Sequence, residues 1–284
     1  MTTPTSVAVV GAGTMGAGIA QTFARAGFEV LLYDTSAAAC DRARAGIRTS
    51  LDRFVSKGLL DAAGRDATLS GITPVETLDA CAPADLVVEA IIEDAAAKRA
   101  LFAALDAVCA PHTTFASNTS SVSITALGAA TTRPDRVVGL HFMNPVPIMP
   151  LVELVRGQAT SDATMALARH LCDRLGKTAI DAADSPGFIA NRILMPMINE
   201  AIHALMEGVG TADAIDGVMT LGMKHPMGPL ALADFIGLDV CLAILDVMHE
   251  GLRDPKYRPC PLLRRMVAAG QLGRKSGRGF YRYE

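Results

Sequence analysis

The fold is decided by a stretch near the start of the chain that reads VAVVGAGTMG, residues 7–16. Its first four residues predict a short buried strand, and residues 15–26 predict a helix. Between them, Gly11, Gly13 and Gly16 form the pattern G-x-G-x-x-G. In this pattern the first glycine permits a tight turn, the second lets the backbone approach a pyrophosphate, and the third lets helix and strand pack closely. A preceding strand and a following helix are the context that a dinucleotide-binding turn requires.

An acidic residue, Asp34, follows the second predicted strand, about 20 residues after the glycine turn. A carboxylate at this spacing binds the ribose 2′-hydroxyl of NAD and repels the 2′-phosphate of NADP. We therefore predict an NAD site in which the turn, with Thr14 and Met15, holds the pyrophosphate at the helix N-terminus. A turn without ligand, a flavin and a nucleotide-sugar are the alternatives that the pattern leaves open.

Up to about Asp184, short apolar strands alternate with helical stretches. The strands are predicted at residues 7–10, 29–33, 85–89, 114–117, 136–140 and 151–155, and the helices at 15–26, 37–58 and 94–108. Strands separated by helices predict parallel crossover units with helices on both faces of a sheet. The fold class is therefore predicted as α/β, with an N-terminal Rossmann-type, mostly parallel sheet and a C-terminal all-α domain.

The pattern changes at Ser185-Pro186-Gly187, where proline and glycine interrupt the chain. We predict an NAD-binding domain over residues 1–185 and a helical domain over residues 186–284, which we expect to close the substrate cleft. Apolar helices in so short a segment are expected to bury one face against a second copy, which predicts a homodimer. The helices of this domain are predicted at 188–207, 211–221 and 239–253, with a buried helix pair over 229–248.

The composition is that of a globular protein: 50% of the 284 residues are hydrophobic, 19% are charged, and the net charge is −3. Neither nucleic acid nor a membrane surface is predicted as a partner. The six cysteines form no C-x-x-C pair, which argues against a zinc site or redox dithiol and fits a reducing compartment. The start of the chain does not resemble a signal peptide, and aspartates interrupt the apolar segment 229–248, so a cytoplasmic protein is predicted.

An acid–base pair is predicted from His141 and Glu153. Glu153 lies in an apolar strand, where a carboxylate is costly to bury unless it is paired. The two residues are placed symmetrically about Pro147, so a chain that doubles back brings them together. A carboxylate on one imidazole nitrogen fixes the tautomer and raises the basicity of the other, which suits a base for an alcohol proton. A structural histidine is the alternative.

Two further polar segments are candidates for binding a reacting oxygen. The run SNTSS, residues 117–121, follows a strand at the carboxyl edge of the sheet, where ligands bind in such folds; capping of the next helix is the alternative. Asn191 lies in an otherwise apolar helix, and its amide could stabilise developing negative charge. Glu200, His203 and Glu207 share a helix face, but no second ligand set accompanies them, so a solvated face is favoured and no metal site is predicted.

Taken together, these motifs resemble the L-3-hydroxyacyl-CoA dehydrogenase family, and most closely its bacterial 3-hydroxybutyryl-CoA members. The resemblance covers essentially the whole chain. It implies an NAD-dependent oxidoreductase that interconverts (S)-3-hydroxyacyl-CoA, such as 3-hydroxybutyryl-CoA, and 3-ketoacyl-CoA, such as acetoacetyl-CoA, in fatty-acid β-oxidation or butanoate metabolism. Besides the glycine turn and SNTSS, the matching segments are HFMNPVPIMPLVELV at 141–155, SPGFIANRIL at 185–194, HPMGPLALADFIGLD at 225–239 and LGRKSGRGFY at 272–281.

The resemblance also implies roles for individual residues. His141 is implied as the general base and Glu153 as its orienting partner, while Ser120 and Asn191 bind the reacting oxygen and the thioester. Basic residues of the second helix are implied to meet the phosphates of coenzyme A, and here Arg53 and Lys57 lie on one helix face; without the resemblance a solvated basic face would be favoured. Further NAD contacts are implied for Glu93, Lys98, Asn118, Asn144 and Lys275.

Two other functions stay open at this level. One is a dehydrogenase of a free hydroxy acid or sugar acid, against which the pair Arg53 and Lys57 counts. The other is a non-catalytic NAD-binding or structural protein, against which the complete set of catalytic candidates counts.

Overall fold

The computed structural model describes residues 4–283. The chain divides into two compact units, one that ends at Asp184 and one that begins at Ser185. Among the helices of the described chain, none has both the length and the apolar composition that crossing a membrane requires.

A single sheet of eight strands forms the centre of the first unit in residues 4–184. The strands are β1 (Ser6–Val10), β2 (Glu29–Tyr33), β3 (Ile72–Val75), β4 (Leu86–Glu89), β5 (Thr114–Ser117), β6 (Val137–Phe142), β7 (Leu151–Arg156) and β8 (Thr178–Ala183). Their order across the sheet is β3-β2-β1-β4-β5-β6-β7-β8. Neighbours from β3 to β6 are parallel, β7 is antiparallel to β6, and β8 is parallel to β7. The predicted fold class is thereby confirmed, and the order reverses between β1 and β4, where doubly wound sheets bind their ligands.

The helices of this unit leave the central strands buried along their whole length. All residues of β4, β5 and β6 are buried, which is why these strands are mostly continuous apolar runs without alternation. Full burial of a core side chain such as Phe23 or Phe102 stabilises the fold by about 1.5–3 kcal/mol. The helices are α1 (Thr14–Arg25), α2 (Ala37–Ser56), α3 (Ala62–Ser70), α4 (Ala95–Val108), α5 (Ile124–Gly128) and α6 (Asp162–Arg174).

The predicted strands and helices of the first unit are found close to their predicted bounds. Four elements, α3, α6, β3 and β8, were not predicted, and α5 was mentioned only as a helix that follows residues 117–121. β3 lies at the sheet edge and contains Pro74, which lacks the N–H that an inner strand donates, and most residues of β8 are exposed. β6 is longer than predicted, because its pairing with β7 continues through Phe142. His141 therefore lies within a strand and not after it.

In the described part of the second unit, residues 185–283, five α-helices surround a separate apolar core. An all-α domain and a helix pair at 229–248 were both predicted, and both are observed. Two predicted helices are shorter than expected: α7 begins after Phe188, whose φ of 48° is left-handed, and α8 is followed by a wider π-type turn, Val218–Gly222. The helices are α7 (Ala190–Met206), α8 (Ala212–Gly217), α9 (Pro229–Ile236), α10 (Leu238–Leu252) and α11 (Pro261–Ala268).

Two buried aspartates fasten the C-terminal segment to these helices. Asp234 accepts hydrogen bonds from the N–H groups of Phe280 and Tyr281 and from the Tyr283 hydroxyl, each at 3.0 Å. Asp216 accepts hydrogen bonds of 2.9 Å from the Tyr281 hydroxyl and from two N–H groups at the start of α9. The carboxylates are therefore satisfied within an otherwise apolar part of the fold.

Buried thiols are expected to make the first unit sensitive to alkali. Burial raises the pKa of Cys81 and of Cys172 to about 12, from a value of 9.0 for an ordinary thiol. Between those values the unfolded chain loses thiol protons that the folded chain keeps. The free energy of unfolding therefore falls as the pH rises above 9, by up to about 1.4 kcal/mol per pH unit for each thiol.

Urea unfolding on either side of pH 9 measures this effect, and Cys172→Ala is the matched variant. The variant loses packing at every pH, but its free energy of unfolding should fall less steeply above pH 9 than that of the parent. Equal slopes for the two proteins would contradict the prediction.

Candidate active site

The glycine turn joins β1 to α1 in a conformation that excludes larger residues. Gly11 has a φ of 106°, and a Cβ there would collide with the carbonyl oxygen of Ala90. A Cβ at Gly16 would collide with the carbonyl oxygen of Gly11, so the third glycine lets α1 start against the turn. Above Gly13, by contrast, an added Cβ would meet no described atom within 4 Å apart from those of its immediate chain neighbours, and the start of α1 has no side-chain cap. This open, donor-rich surface suits a pyrophosphate.

Asp34 holds the turn in place and faces a cavity beside it. Its carboxylate accepts hydrogen bonds from the N–H groups of Ala12 (2.8 Å) and Ser36 (2.9 Å). The cavity has a volume of about 570 Å³ and is lined by the glycine turn, by one face each of α1 and α2, and by residues 144–147. Because a ribose-binding carboxylate, a pyrophosphate cradle and a ligand-sized cavity adjoin one another, this part of the first unit fits NAD.

Three polar residues of the cavity were not identified from the sequence: Gln21 on α1, and Arg42 and Ser50 on α2. Arg42 and Ser50 are separated by two four-residue steps and so share one face of α2, and this spacing was the sequence pattern that could have identified them. Gln21 had no such signal. It is buried, and its amide nitrogen has no hydrogen-bond partner among the described residues.

His141 and Glu153 face each other across the antiparallel pair β6–β7. They are direct partners in the strand register, and the His141 Nδ1 lies 2.6 Å from the Glu153 Oε2. Both side chains are buried. A carboxylate at this position favours the tautomer that carries its proton on Nδ1, which makes Nε2 the basic nitrogen. The pair therefore has the arrangement that general-base chemistry requires.

The loop between β6 and β7 is anchored by Lys177, which the sequence analysis missed. The Lys177 Nζ donates hydrogen bonds to the carbonyl oxygens of Val146 (2.6 Å) and Met149 (2.7 Å). Burial lowers the pKa of Lys177. Asn144 of this loop lines the cavity, and the Asn118 side chain accepts a hydrogen bond from the backbone where β6 ends (2.9 Å). The two asparagines predicted to contact NAD thus belong to segments that the fold holds in place.

Two glutamates and a lysine, hereafter the Glu89–Lys98–Glu93 cluster, lie at the carboxyl ends of β4 and β5. The Lys98 Nζ is 2.5 Å from the Glu89 Oε1 and 3.2 Å from the Glu93 Oε2. The other oxygen of Glu89 accepts a hydrogen bond of 2.5 Å from the Ser117 hydroxyl. Glu89 and Lys98 are buried, whereas the Glu93 side chain is 37% exposed. Glu89 was not identified from the sequence, although a carboxylate at the end of an apolar strand was the available signal.

Glu93 fixes the conformation of the SNTSS run. Its Oε1 accepts hydrogen bonds from the Thr119 hydroxyl (2.7 Å) and from the N–H and hydroxyl groups of Ser120 and Ser121 (2.8 to 3.1 Å). Desolvation opposes the ionisation of Glu93, but Lys98 and the hydroxyl and N–H donors outweigh it and hold the pKa of Glu93 below its ordinary value. The Ser120 hydroxyl and its backbone are therefore held by an anionic anchor.

Capping of α5 was the alternative interpretation of residues 117–121, and it is wrong. The N-cap of α5 is Ser123, whose hydroxyl accepts a hydrogen bond from the Ala126 N–H (3.2 Å). Asp184 accepts two further N–H groups at the start of this helix. The serine-rich run is organised by Glu93 instead.

The remaining candidates lie in other parts of the chain. Arg53 and Lys57 are exposed at the end of α2. Asn191 is buried in the first turn of α7, in the second unit. The Lys275 Nζ, also in the second unit, lies 2.6 Å from a carboxylate oxygen of Asp239. The roles implied for these residues stay predictions.

The acidic and histidine side chains of α7 form a shallow groove and not a close cluster. The His203 Nδ1 and the Glu207 Oε1 are 3.9 Å apart, and Glu200 lines the same groove. Within residues 4–283, no three His, Cys, Asp or Glu side chains are grouped closely enough to hold a metal ion.

Comparisons with known proteins give concordant matches over both units. Residues 6–185 match the family model described as 3-hydroxyacyl-CoA dehydrogenase, NAD binding domain, and residues 187–283 match the corresponding C-terminal domain. A probable 3-hydroxybutyryl-CoA dehydrogenase of Bacillus subtilis is 54% identical over 98% of this chain and 97% of its own length. A 3-hydroxybutyryl-CoA dehydrogenase of Bradyrhizobium diazoefficiens is 55% identical over 98% of this chain and 94% of its own length. Among solved structures, the (S)-3-hydroxybutyryl-CoA dehydrogenase PaaH1 from Ralstonia eutropha is 48% identical, covers 99% of this chain and 100% of its own, and superposes with a TM-score of 0.96.

Proposed function

Because the chain belongs to the 3-hydroxyacyl-CoA dehydrogenase family, an enzyme family that uses NAD, we propose that it interconverts (S)-3-hydroxybutyryl-CoA and acetoacetyl-CoA. The family and the coenzyme were both predicted from the sequence, and both are confirmed. The four-carbon substrate is supported by the names of relatives that are 46–55% identical over nearly the whole chain. The observation that carries the proposed mechanism is the buried pair of His141 and Glu153 on the sheet that also bears the dinucleotide turn.

His141 is the proposed general base. In the oxidising direction its Nε2 takes the proton of the 3-hydroxyl group while the hydrogen on C3 leaves as hydride. Bound NAD supplies the acceptor for that hydride. Glu153, at 2.6 Å from Nδ1, keeps the ring in the required tautomer and stabilises the imidazolium that proton transfer creates. In the reducing direction the same imidazolium returns its proton to the oxygen.

Ser120 and Asn191 are proposed to donate hydrogen bonds to the reacting oxygen and the thioester. Donors that are fixed before the reaction stabilise developing negative charge without having to reorganise. Glu93 fixes the backbone at Ser120 by accepting its N–H, and the Ser120 hydroxyl, which donates to Glu93 in this structure, would turn to the reacting oxygen when substrate binds. Asn191 is a buried amide in the first turn of α7.

The proposed NAD contacts extend beyond the glycine turn and Asp34. We assign them, as the family resemblance implies, to side chains at the carboxyl ends of β4 and β5, to the loop after β6 and to the C-terminal segment. These residues are Glu93, Lys98, Asn118, Asn144 and Lys275.

The decisive test follows NADH absorbance with acetoacetyl-CoA as substrate. We expect oxidation of NADH to depend on the thioester, with little or no activity on free acetoacetate or on sugar acids. Activity on the free acids alone would favour a hydroxy-acid dehydrogenase. Binding of NADH without turnover of any substrate would favour a non-catalytic protein.

Arg53 and Lys57, the exposed basic pair at the end of α2, are predicted to bind the phosphates of the coenzyme A part of the substrate. Removing both charges by Arg53→Ala and Lys57→Ala should raise KM for acetoacetyl-CoA by about 5- to 30-fold, because two exposed contacts with phosphates contribute roughly 1–2 kcal/mol together. The value of kcat should not change, since binding is lost equally in ground state and transition state.

A truncated thioester without the nucleotide part of coenzyme A provides the internal control, and its KM should be unaffected. Arg99→Ala, at an exposed position on α4, is the matched charge control. A double variant with an unchanged KM for acetoacetyl-CoA would remove the pair from the binding site.

We further propose that the protein is a homodimer formed through its C-terminal unit. The support is the set of exposed apolar side chains in that unit, among them Ile193 (68% exposed), Val209 (77%) and Leu221 (79%). Light scattering behind size-exclusion chromatography measures the mass directly, and a monomer at micromolar concentration would refute the proposal. All six cysteines are free and buried, which supports a reducing compartment such as the cytoplasm. A role in β-oxidation or butanoate metabolism is proposed from the family resemblance alone.

A further inference from the structure

The Glu89–Lys98–Glu93 cluster carries more negative than positive charge. Within the described residues, the Glu89 carboxylate accepts hydrogen bonds from the Lys98 ammonium, the Ser117 hydroxyl and the N–H of Ile91. Among residues 4–283, Glu93 is paired with Lys98 and accepts hydrogen bonds from the N–H and hydroxyl groups of the SNTSS run. Carboxylates surrounded by donors are ionised acceptors. Two carboxylates and one ammonium leave the cluster with one net negative charge.

This charge lies in the half of the sheet that receives the second nucleotide of a dinucleotide. Asp34 follows β2, so it takes the adenosine ribose on the side of β1 to β3. The other nucleotide then lies across the switch point, over the carboxyl ends of β4 to β6. Glu89 ends β4, Ser117 ends β5 and His141 lies near the end of β6, so the cluster and the proposed base occupy the same half.

The nicotinamide ring has one positive charge in NAD⁺ and none in NADH. When hydride leaves C3 for the ring, the ring loses its charge; the hydroxyl proton passes to His141, the C3–O bond becomes a carbonyl, and a positive charge appears on the imidazole. Glu153 faces the charge that exists after the transfer. The net negative charge of the cluster lies on the nicotinamide side and attracts the positive ring of NAD⁺, which is present before the transfer. This attraction acts through partly dry protein, where screening is weak.

We propose that the Glu89–Lys98–Glu93 cluster selects the oxidation state of the coenzyme: its net negative charge strengthens the binding of NAD⁺ relative to NADH. Glu89 is the residue through which this is tested, because it is completely buried and only adjoins the proposed NAD contacts. It acts through space and through Lys98, so it is a positioning and electrostatic residue and not a catalytic one.

The experiment measures the ratio of the dissociation constants, Kd for NAD⁺ over Kd for NADH, in the full-length protein. NADH binding is followed by the fluorescence of its reduced nicotinamide, and NAD⁺ is titrated as a competitor. Glu89→Gln keeps the shape of the side chain and removes one negative charge. We expect the ratio to rise by about five- to tenfold, the effect of one unit charge over roughly 10 Å of partly hydrated protein.

Ser117→Ala is the matched control, because it removes a hydrogen bond to the same carboxylate without changing any charge. Its ratio should stay within about twofold of that of the parent protein. Far-UV circular dichroism checks that each variant is folded. Where Glu89→Gln does not fold, Glu93→Gln is compared with Glu93→Asp, which disturbs the same contacts but keeps the charge; only Glu93→Gln should raise the ratio.

An unchanged ratio in a folded Glu89→Gln or Glu93→Gln protein overturns the inference, and so does an equal rise in Ser117→Ala, since that rise would come from loop geometry and not from charge. The inference depends on NAD binding and not on the proposed substrate. A parent protein that binds both nucleotides but turns over no thioester would contradict the proposed function and leave this measurement valid.

Discussion

Replacing His141 by alanine is expected to lower kcat by about 10²–10⁴-fold, the range over which a lost general base reduces an enzymatic rate. The proton of the 3-hydroxyl group would then have no acceptor in place when the hydride leaves. The affinity for NADH should change little, because the imidazole is paired with Glu153 in the β6–β7 hairpin and is not part of the glycine turn.

The measurement is steady-state oxidation of NADH by acetoacetyl-CoA, with NADH affinity determined in parallel by fluorescence. His170→Ala, at an exposed position on α6, is the control for loss of a histidine and should keep parental kcat. Near-parental turnover of the His141→Ala protein would eliminate the proposed base, whatever the behaviour of the other site residues.

Glu153→Gln is expected to cause a loss of similar size, although the side chain keeps its shape. A glutamine can turn its NH₂ group toward Nδ1 of His141, which favours the tautomer that carries the proton on Nε2 and so cannot accept one. It also leaves the imidazolium without a counter-charge in a buried position, where an unpaired charge is costly.

The two substitutions should not be additive, because both remove the same catalytic unit. We expect the double variant His141→Ala, Glu153→Gln to be about as slow as His141→Ala alone, and thermal unfolding of all three proteins checks that they are folded. A double variant whose loss equals the product of the two single losses would mean that Glu153 acts independently of the imidazole.

The pairing of these two residues was predictable because it depends on a hairpin. Residues equally distant from Pro147 meet when the chain reverses, and an isolated carboxylate in the apolar strand β7 indicated that it needed a partner. The edge elements β3 and β8 were missed for the opposite reason. One contains a proline and most of the other is exposed, so neither has the apolar pattern of an inner strand.

By itself, the sequence determined the glycine turn, the order of the inner strands and of the helices α1, α2 and α4, and a change to an all-α unit near residue 185. Each of these depends on backbone preferences and apolar periodicity among near neighbours, which the residues specify locally. Only the tertiary structure decided that Glu89, Lys98 and Glu93 share one charge network, that Glu93 organises Ser120, and that Lys177 holds the loop beside the base. These contacts join segments up to about 30 residues apart in the sequence. A buried charge needs a partner, and the packing of the strands decides which side chain at the same edge of the sheet provides it.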